Sequence, residues 1–444
     1  MARQLLFVAV LAYLVLGAPT VVSYPADSNF RPPILIIPGF AGSRIEGKLD
    51  DVGPHTKTCH NKETDWLTLW VNLTLLVSPQ IECWDDVIKL DYDRETHTTS
   101  SPPGVQVRIP GFGSTSSVEY LTSEKISQSG YMIEPIENVL LPLGYKRDVD
   151  LRAAPYDFRK APNEMHQYFE NIRELIEEMY HETGRKVVLL SHSMGSNIAR
   201  YFLIHQTQEW KDSHIETLIS VAGAWGGTVK TLKAFTSGYN FGIPFLNSKA
   251  MLSAEMTFPS MAYMMPSRNA WNPDEVFIVS KVVNVTVSNY KELFAAMDYE
   301  DGYNMHLDTK DLDQIQMAPG VSLHCITSSK VDTPEKFFYD GNNLQEDPVT
   351  IMGDGDGTVN RRSLDLCLKW KDLQEQEIQH TVYEYVDHLS ILSFYRFYAD
   401  LRKIVVKIMN DNRLNYDYKI ELEKRAEEIR TNPHFSDVLW HRAY

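Results

Sequence analysis

Residues 186–195 and the stretch after them constrain the fold most. Lys186-Val-Val-Leu-Leu190 is a short apolar run of the kind that forms a strand buried on both faces. Ser191-His-Ser-Met-Gly195 follows, and the stretch after Gly195 reads as a helix. A strand that turns directly into a helix around a serine strains the backbone there, so the positions flanking it must be small. Glycine is usual at the first of these positions; here Ser191 stands there and is small enough to fit. Serine and glycine are common, so the pattern takes its meaning from the strand before it and the helix after it. Ser193 is thereby a candidate nucleophile.

The same alternation runs along much of the chain. Ile34-Leu-Ile-Ile37 is an apolar run that breaks at Pro38-Gly39. A helix begins at Asn163, with Met165, Phe169, Ile172, Leu175, Ile176 and Met179 on one face at the 3.6-residue period. Ile215 to Ala222 reads as the next strand. Strands alternating with helices predict an α/β protein with a doubly wound, mostly parallel sheet. Two segments break the rhythm and read as insertions. One, about 50–110, is rich in tryptophan and turn residues; the other, about 232–271, is rich in Met, Phe, Tyr, Pro and Ser. Residues 409–444 form a charged, helix-prone extension of a domain spanning 24–408.

A nucleophilic serine needs a base, and the base needs an orienting carboxylate. Gly353-Asp-Gly-Asp-Gly-Thr-Val359 offers two acids. Asp356 is the better placed, three residues before an apolar residue that re-enters the core. A calcium loop is the competing reading, but position twelve counted from Asp354 is Asp365, where such a loop needs glutamate. The chain has 14 histidines, and His388 stands out by position. Thr381-Val-Tyr-Glu-Tyr-Val386 reads as a strand, and Asp387-His388 opens the loop after it. His380 precedes that strand, at the wrong end of the sheet, and His192 reads as a packed neighbour of the nucleophile. Ser193, Asp356 and His388 follow the order Ser, Asp, His of the α/β-hydrolase fold. In that fold the oxyanion is held by two backbone N–H groups, here those of Phe40 and Met194.

The first residues predict a secretory signal peptide over 1–23: Arg3, an apolar run from Leu5 to Leu16, and Val21-Val22-Ser23. The run is shorter than the roughly 20 residues that span a bilayer. Four cysteines, Cys59, Cys83, Cys325 and Cys367, suggest two disulfides in an oxidising compartment. Three connectivities are open; Cys59–Cys83 with Cys325–Cys367 closes the shortest loops. No C-x-x-C or H-x-x-x-H spacing points to a metal, and nothing points to a cofactor. Asn72-Leu-Thr and Asn284-Val-Thr are glycosylation acceptors there. A net charge of −16 argues against nucleic acid as a partner and against strong attraction to anionic membrane.

Several stretches, in order and spacing, resemble the lecithin:cholesterol acyltransferase family, most closely its lysosomal phospholipase A2 branch. They are Pro38-Gly39 with Gly42-Ser43, Val105-x-Val-Arg-x-Pro-Gly-Phe-Gly113, Arg152-x-Ala-Pro-Tyr-Asp157 with Arg159, His192-Ser-Met-Gly195, Trp225-Gly-Gly227 and Gly353-Asp-Gly-Asp-Gly-Thr-Val359. The resemblance implies the same triad, the same pairing of the four cysteines, and cleavage of a phospholipid acyl ester with transfer to a lipid alcohol or water. It also implies that the first insertion, around Trp66, Leu67, Leu69 and Trp70, docks on a phospholipid membrane or lipoprotein surface. Residues from about 232 to 265 correspond to the family's mobile lid. Lys230 and Thr358 stand near the triad in sequence and suit a phosphate head group. The family's lysosomal branch carries an acid at position 40 and its plasma branch a cysteine, whereas this chain carries Phe40. The compartment implied is the lysosome or the extracellular space. The alternatives are a secreted phosphatidylcholine-sterol acyltransferase and a non-catalytic lipid-binding hydrolase fold.

Overall fold

The computed structural model describes residues 30–50, 59, 63–77, 80–122, 129–240, 248–312 and 314–431. The expected signal peptide lies outside the described residues. Six strands form the central sheet: β1 (Ile34–Ile37), β2 (Leu151–Ala153), β3 (Val187–His192), β4 (Ile215–Val221), β5 (Leu323–Ser329) and β6 (Ile378–Glu384). Their spatial order is β6-β5-β4-β3-β1-β2, and every neighbouring pair is parallel. β1, β3 and most of β4 are buried along their length, which is why they read as continuous apolar runs. Successive strands step one way to β2 and the other way from β3. The order therefore reverses at β1, and a crevice opens at the carboxyl ends of β1 and β3. The helix expected from Asn163 is present as α1 (His166–Thr183) and buries Ile172, Leu175, Ile176 and Met179. This is the α/β-hydrolase fold.

Two boundaries differ from the sequence reading. β6 begins at Ile378, so His380 lies inside the strand, opposite Cys325, and its Nε2 meets Asp365 and Thr327. The strand that leads to Asp356, Val349–Gly355, is not part of the central sheet. It pairs antiparallel with Val331–Phe338 in a separate four-stranded sheet. That hairpin leaves β5 at Ser329 and brings the chain back beside it, where Val331 bridges Asp356.

The first insertion is built on a three-stranded sheet of Leu67–Trp70, Ile45–Leu49 and Val105–Arg108, so its framework starts before residue 50. Leu69 and Trp70 are 3% and 4% exposed and Trp66 is 37% exposed, with Leu67 half-buried. Of the four residues expected around the lipid-docking site, the structure thus buries Leu69 and Trp70. Trp70 packs on Phe158 and its indole N–H donates to the Ala41 carbonyl at 2.7 Å, so it fastens the insertion to the hydrolase core. Helix Gln80–Ile88 of this insertion carries the second one: Asp85 accepts from the Ser253 hydroxyl, and the Leu90 N–H donates to Thr257 Oγ1 at 2.9 Å. The charged tail continues α2 (Tyr395–Thr431), a helix that begins within the domain on buried Phe397, Leu401, Val405 and Ile408. Asn284 is exposed, and the Asn72 side chain is held by Thr68 and Thr74.

The disulfides are Cys59–Cys83 and Cys325–Cys367, the pairing with the shortest loops. Cys325 sits in β5 and Cys367 in the helical turn Asp365–Asp372, and both are buried. Replacing Cys325 and Cys367 together with alanine should lower the unfolding free energy by about 4 kcal/mol, from loop entropy alone. A denaturant titration of the double variant checks this; an unchanged midpoint overturns it.

Candidate active site

Ser193 stands between β3 and helix Met194–Ile204 with φ 54° and ψ −131°, a backbone that an L-residue adopts only under constraint. The constraint is visible. A side chain at Gly195 would overlap the carbonyl oxygens of Ile37 and Pro38, so the helix lies flush on the turn after β1. Ser191 replaces the usual glycine without cost because its hydroxyl meets Ser196 Oγ at 2.9 Å, and Ser196 in turn accepts from Ser220 at 2.8 Å.

The three residues singled out in the sequence meet in space. His388 Nε2 is 2.8 Å from Ser193 Oγ, and His388 Nδ1 is 2.7 Å from Asp356 Oδ2. All three are buried, Asp356 completely. Its other oxygen accepts the N–H groups of Thr358 and Val359 at 3.0 and 2.7 Å, and its carbonyl accepts from the His388 N–H at 2.8 Å. A carboxylate so held keeps an imidazole proton on Nδ1 and leaves Nε2 to take the serine's proton. Asp354 is exposed and accepts from the Lys330 N–H, away from His388.

Met194 opens its helix, so its N–H has no intrahelical acceptor. Phe40 lies in the turn after β1, across from it, with its ring edge-on to Phe158 at 5.0 Å. Phe40, Ser193 and Met194 line one small cavity. Sequence reasoning missed Tyr131, whose hydroxyl accepts the Gly39 N–H of this turn at 2.9 Å. It also undervalued His192, whose ring lies 4.9 Å from that of His388.

The chain matches the lecithin:cholesterol acyltransferase family over residues 66–394. It is 38% identical to the lysosomal phospholipase A and acyltransferase of Bos taurus, over 86% of this chain and 93% of that one. To the phosphatidylcholine-sterol acyltransferase of Gallus gallus it is 39% identical, over 85% and 91%. The human lysosomal phospholipase A and acyltransferase gives 38%, over 85% and 91%. The chain belongs to the lecithin:cholesterol acyltransferase family. It is therefore an enzyme of the α/β-hydrolase type.

The family motif ending in Arg159 has a structural task here. Arg159 is buried and pairs with Asp157 at 2.7 Å, while its Nη1 donates to the Ile88 carbonyl and its own carbonyl accepts from Ser260. It thus joins both insertions to the core. Burial alone pushes the Asp157 carboxyl up, but the guanidinium outweighs it and holds the acid below the ordinary carboxylate range.

A small cavity of about 80 Å³ opens at Ser193, walled by Phe40, Met194, Met261, Met264, Lys230 and Thr358. The methionines of the second insertion are mostly core residues, and Met261 and Met264 are the two that reach this space. Lys230 Nζ donates to the Gly357 carbonyl at 2.8 Å, Thr358 Oγ1 at 3.2 Å and the Tyr239 hydroxyl at 3.1 Å. These acceptors are neutral, and among the described residues no carboxylate pairs with it. A larger cavity of about 480 Å³, against Trp225 and His306, has none of the three site residues in its lining.

Tyr239 is itself fixed by Glu255, whose Oε2 accepts the Tyr239 N–H at 2.8 Å. Glu255 is fully buried, and burial pushes its carboxyl well above the usual range, against the pull of the Tyr239 N–H and Lys233 and with a push from Asp85. The folded protein then holds this proton more tightly than the unfolded chain. Stability is lost as pH rises through the ordinary glutamate value, about 4.3, toward the folded one. Glu255→Gln keeps an acceptor for Tyr239 and cannot ionise. Its Tm should match wild type at pH 4 and exceed it by a few degrees at pH 7, as read by calorimetry. A constant difference across that range overturns the assignment.

Proposed function

We propose that this enzyme is a phospholipase A and O-acyltransferase that works through an acyl-serine at Ser193. The observation that carries the reading is the Ser193–His388–Asp356 hydrogen-bond chain at an apolar cavity bordered by an unneutralised lysine. His388 Nε2 takes the Ser193 proton as Oγ attacks the acyl carbonyl carbon. The N–H groups of Phe40 and Met194 hold the negative oxygen that forms. The intermediate collapses by breaking the ester C–O bond, and His388 returns the proton to the departing lysophospholipid oxygen. A lipid alcohol or water then gives its proton to His388 and attacks the acyl carbon, the acyl C–Oγ bond breaks, and His388 returns the proton to Ser193 Oγ. The 80 Å³ cavity is well under the roughly 300–1,000 Å³ of sites for drug-sized ligands, so the wall formed by Met261 and Met264 has to move for a lipid to enter. Lys230 and Thr358 are the groups suited to the phosphate, and Trp66 and Leu67 to the lipid surface.

Three further inferences belong to this reading. The chain enters the secretory pathway by its first 23 residues and acts in the lysosome or outside the cell. Asn72 and Asn284 carry glycans. The acceptor is a lipid alcohol or water, and ceramide and sterol offered together in phospholipid vesicles discriminate between the alcohols. Acyl-ceramide as the main product supports the lysosomal reading; sterol ester supports the plasma one, which the similar identity to the Gallus gallus relative keeps in play.

Ser193→Ala and His388→Ala should lower kcat by several orders of magnitude with the fold retained. Asp356→Asn should also be severe and Asp354→Asn mild, and the reverse order of these two overturns the acid assignment. Lys230→Ala should raise the apparent KM for phospholipid vesicles and leave a soluble short-chain ester nearly unaffected. Equal losses on both substrates would make Lys230 a structural residue.

A further inference from the structure

The Tyr131 hydroxyl stands where three separate segments meet. It accepts the Gly39 N–H at 2.9 Å and lies 2.7 Å from His192 Nδ1, while His192 Nε2 lies 2.9 Å from the His388 carbonyl oxygen. The proton positions along this chain are forced. A carbonyl oxygen only accepts, so His192 Nε2 must carry a hydrogen. A neutral imidazole then has none on Nδ1, which accepts from the Tyr131 O–H. The Tyr131 oxygen keeps a lone pair for Gly39. Every donor and acceptor is used once.

Neutrality of His192 follows from its surroundings. Burial, with the adjacent His388 acting in the same direction, pushes its imidazole down to about 3. Burial likewise pushes the Tyr131 phenol up, so it stays an O–H. The ring of Tyr131 also packs against the turn after β1. A Cβ at Gly42 would come within 2.6 Å of Tyr131 Cε1, and one at Gly39 within 3.1 Å of its hydroxyl. The two glycines of this turn are therefore shaped to Tyr131 as well as to Ser193.

We propose that Tyr131 and neutral, Nε2-protonated His192 are a positioning pair that ties the oxyanion turn to the backbone of the general base. Neither touches the reacting atoms. The bond to Gly39 holds the Pro38–Gly39 peptide, and the Gly42 N–H on the Gly39 carbonyl at 3.0 Å holds the next one, which carries the Phe40 N–H. The bond to the His388 carbonyl fixes the loop from which the imidazole reaches Ser193. His192 precedes Ser193 directly, so nucleophile, base and oxyanion donor are registered through one side-chain relay.

This inference rests on the reading that Ser193 is acylated, and the test separates the two. Tyr131→Phe, His192→Phe, the double variant, His192→Gln and Ser193→Ala are assayed on a soluble short-chain nitrophenyl ester. For the variants that keep Ser193, each kcat is divided by the number of sites titrated with a fluorophosphonate, so misfolded protein does not count; Ser193→Ala is compared per folded protein, read by circular dichroism. Tyr131→Phe and His192→Phe should each lower kcat roughly 10- to 100-fold with KM unchanged, the scale of a misplaced reacting group. The double variant should be no worse than the poorer single one, because the two act as a unit. His192→Gln, with one amide donor and one acceptor, should recover part of the loss. Wild-type kcat per site in Tyr131→Phe, losses that multiply in the double variant, or an effect on KM alone would each overturn the proposal. An active Ser193→Ala would instead overturn the reading of Ser193, and an inactive one with normal Tyr131→Phe would leave that reading standing.

Discussion

The helix that follows Ser193 lies directly on the turn that follows β1, with no room for a side chain at Gly195 between it and the Ile37 and Pro38 carbonyls. That contact is where the strand order reverses, and it sets the helix that starts at Met194 against the turn that carries Phe40. Other parts of the molecule attach to the same turn. Trp70 bonds the Ala41 carbonyl, and Tyr131 takes the Gly39 N–H. The first insertion is thus anchored at Ala41, the residue after Phe40. The second is anchored on the first through Asp85, Thr257 and Arg159. Neither insertion is an independent appendage.

This order of attachment explains which residues were legible in the sequence. Ser193 and His388 each follow a strand of the central sheet, and such strands announce themselves by apolar runs or β-branched content. Asp356 was found because Val359 re-enters the core three residues later, although the strand before it belongs to a different sheet. What could not be read were polar side chains whose partners are distant in the chain. Tyr131 and Gly39 are 92 residues apart, and Leu90 and Thr257 are 167 apart. No periodicity marks such a pair. Trp70 shows the same blindness from the other side. A tryptophan among leucines suits a lipid interface or a core equally, and the Ala41 carbonyl that decides the matter is invisible to local pattern. β6 was read three residues short because Gln379 and His380 are polar. His380 is accommodated there by Asp365 and Thr327, which the sequence does not bring near it.

In the proposed reading the distribution of charge assigns separate tasks to distance and contact. The chain carries a net charge of −16, which opposes approach to an anionic surface. That repulsion is screened beyond about 8–10 Å at ordinary ionic strength, so it governs encounter and not recognition. Lys230 works within that length. Among the described residues its ammonium is met by a carbonyl, a hydroxyl and the Tyr239 phenol, with the Tyr239 ring centroid 4.6 Å away, and by no carboxylate. Glu255, which holds the Tyr239 N–H, has its carboxyl pushed well above the usual range by burial. A phosphate reaching the cavity thus meets a local field opposite in sign to the field of the whole molecule. Docking has to come from apolar contact at Trp66, whose ring is covered on one face by the Arg108 guanidinium at 4.3 Å. Head-group selection then falls to Lys230 and Thr358, and the apolar wall of Met261 and Met264 is left to receive the acyl chain whose carbonyl Ser193 attacks.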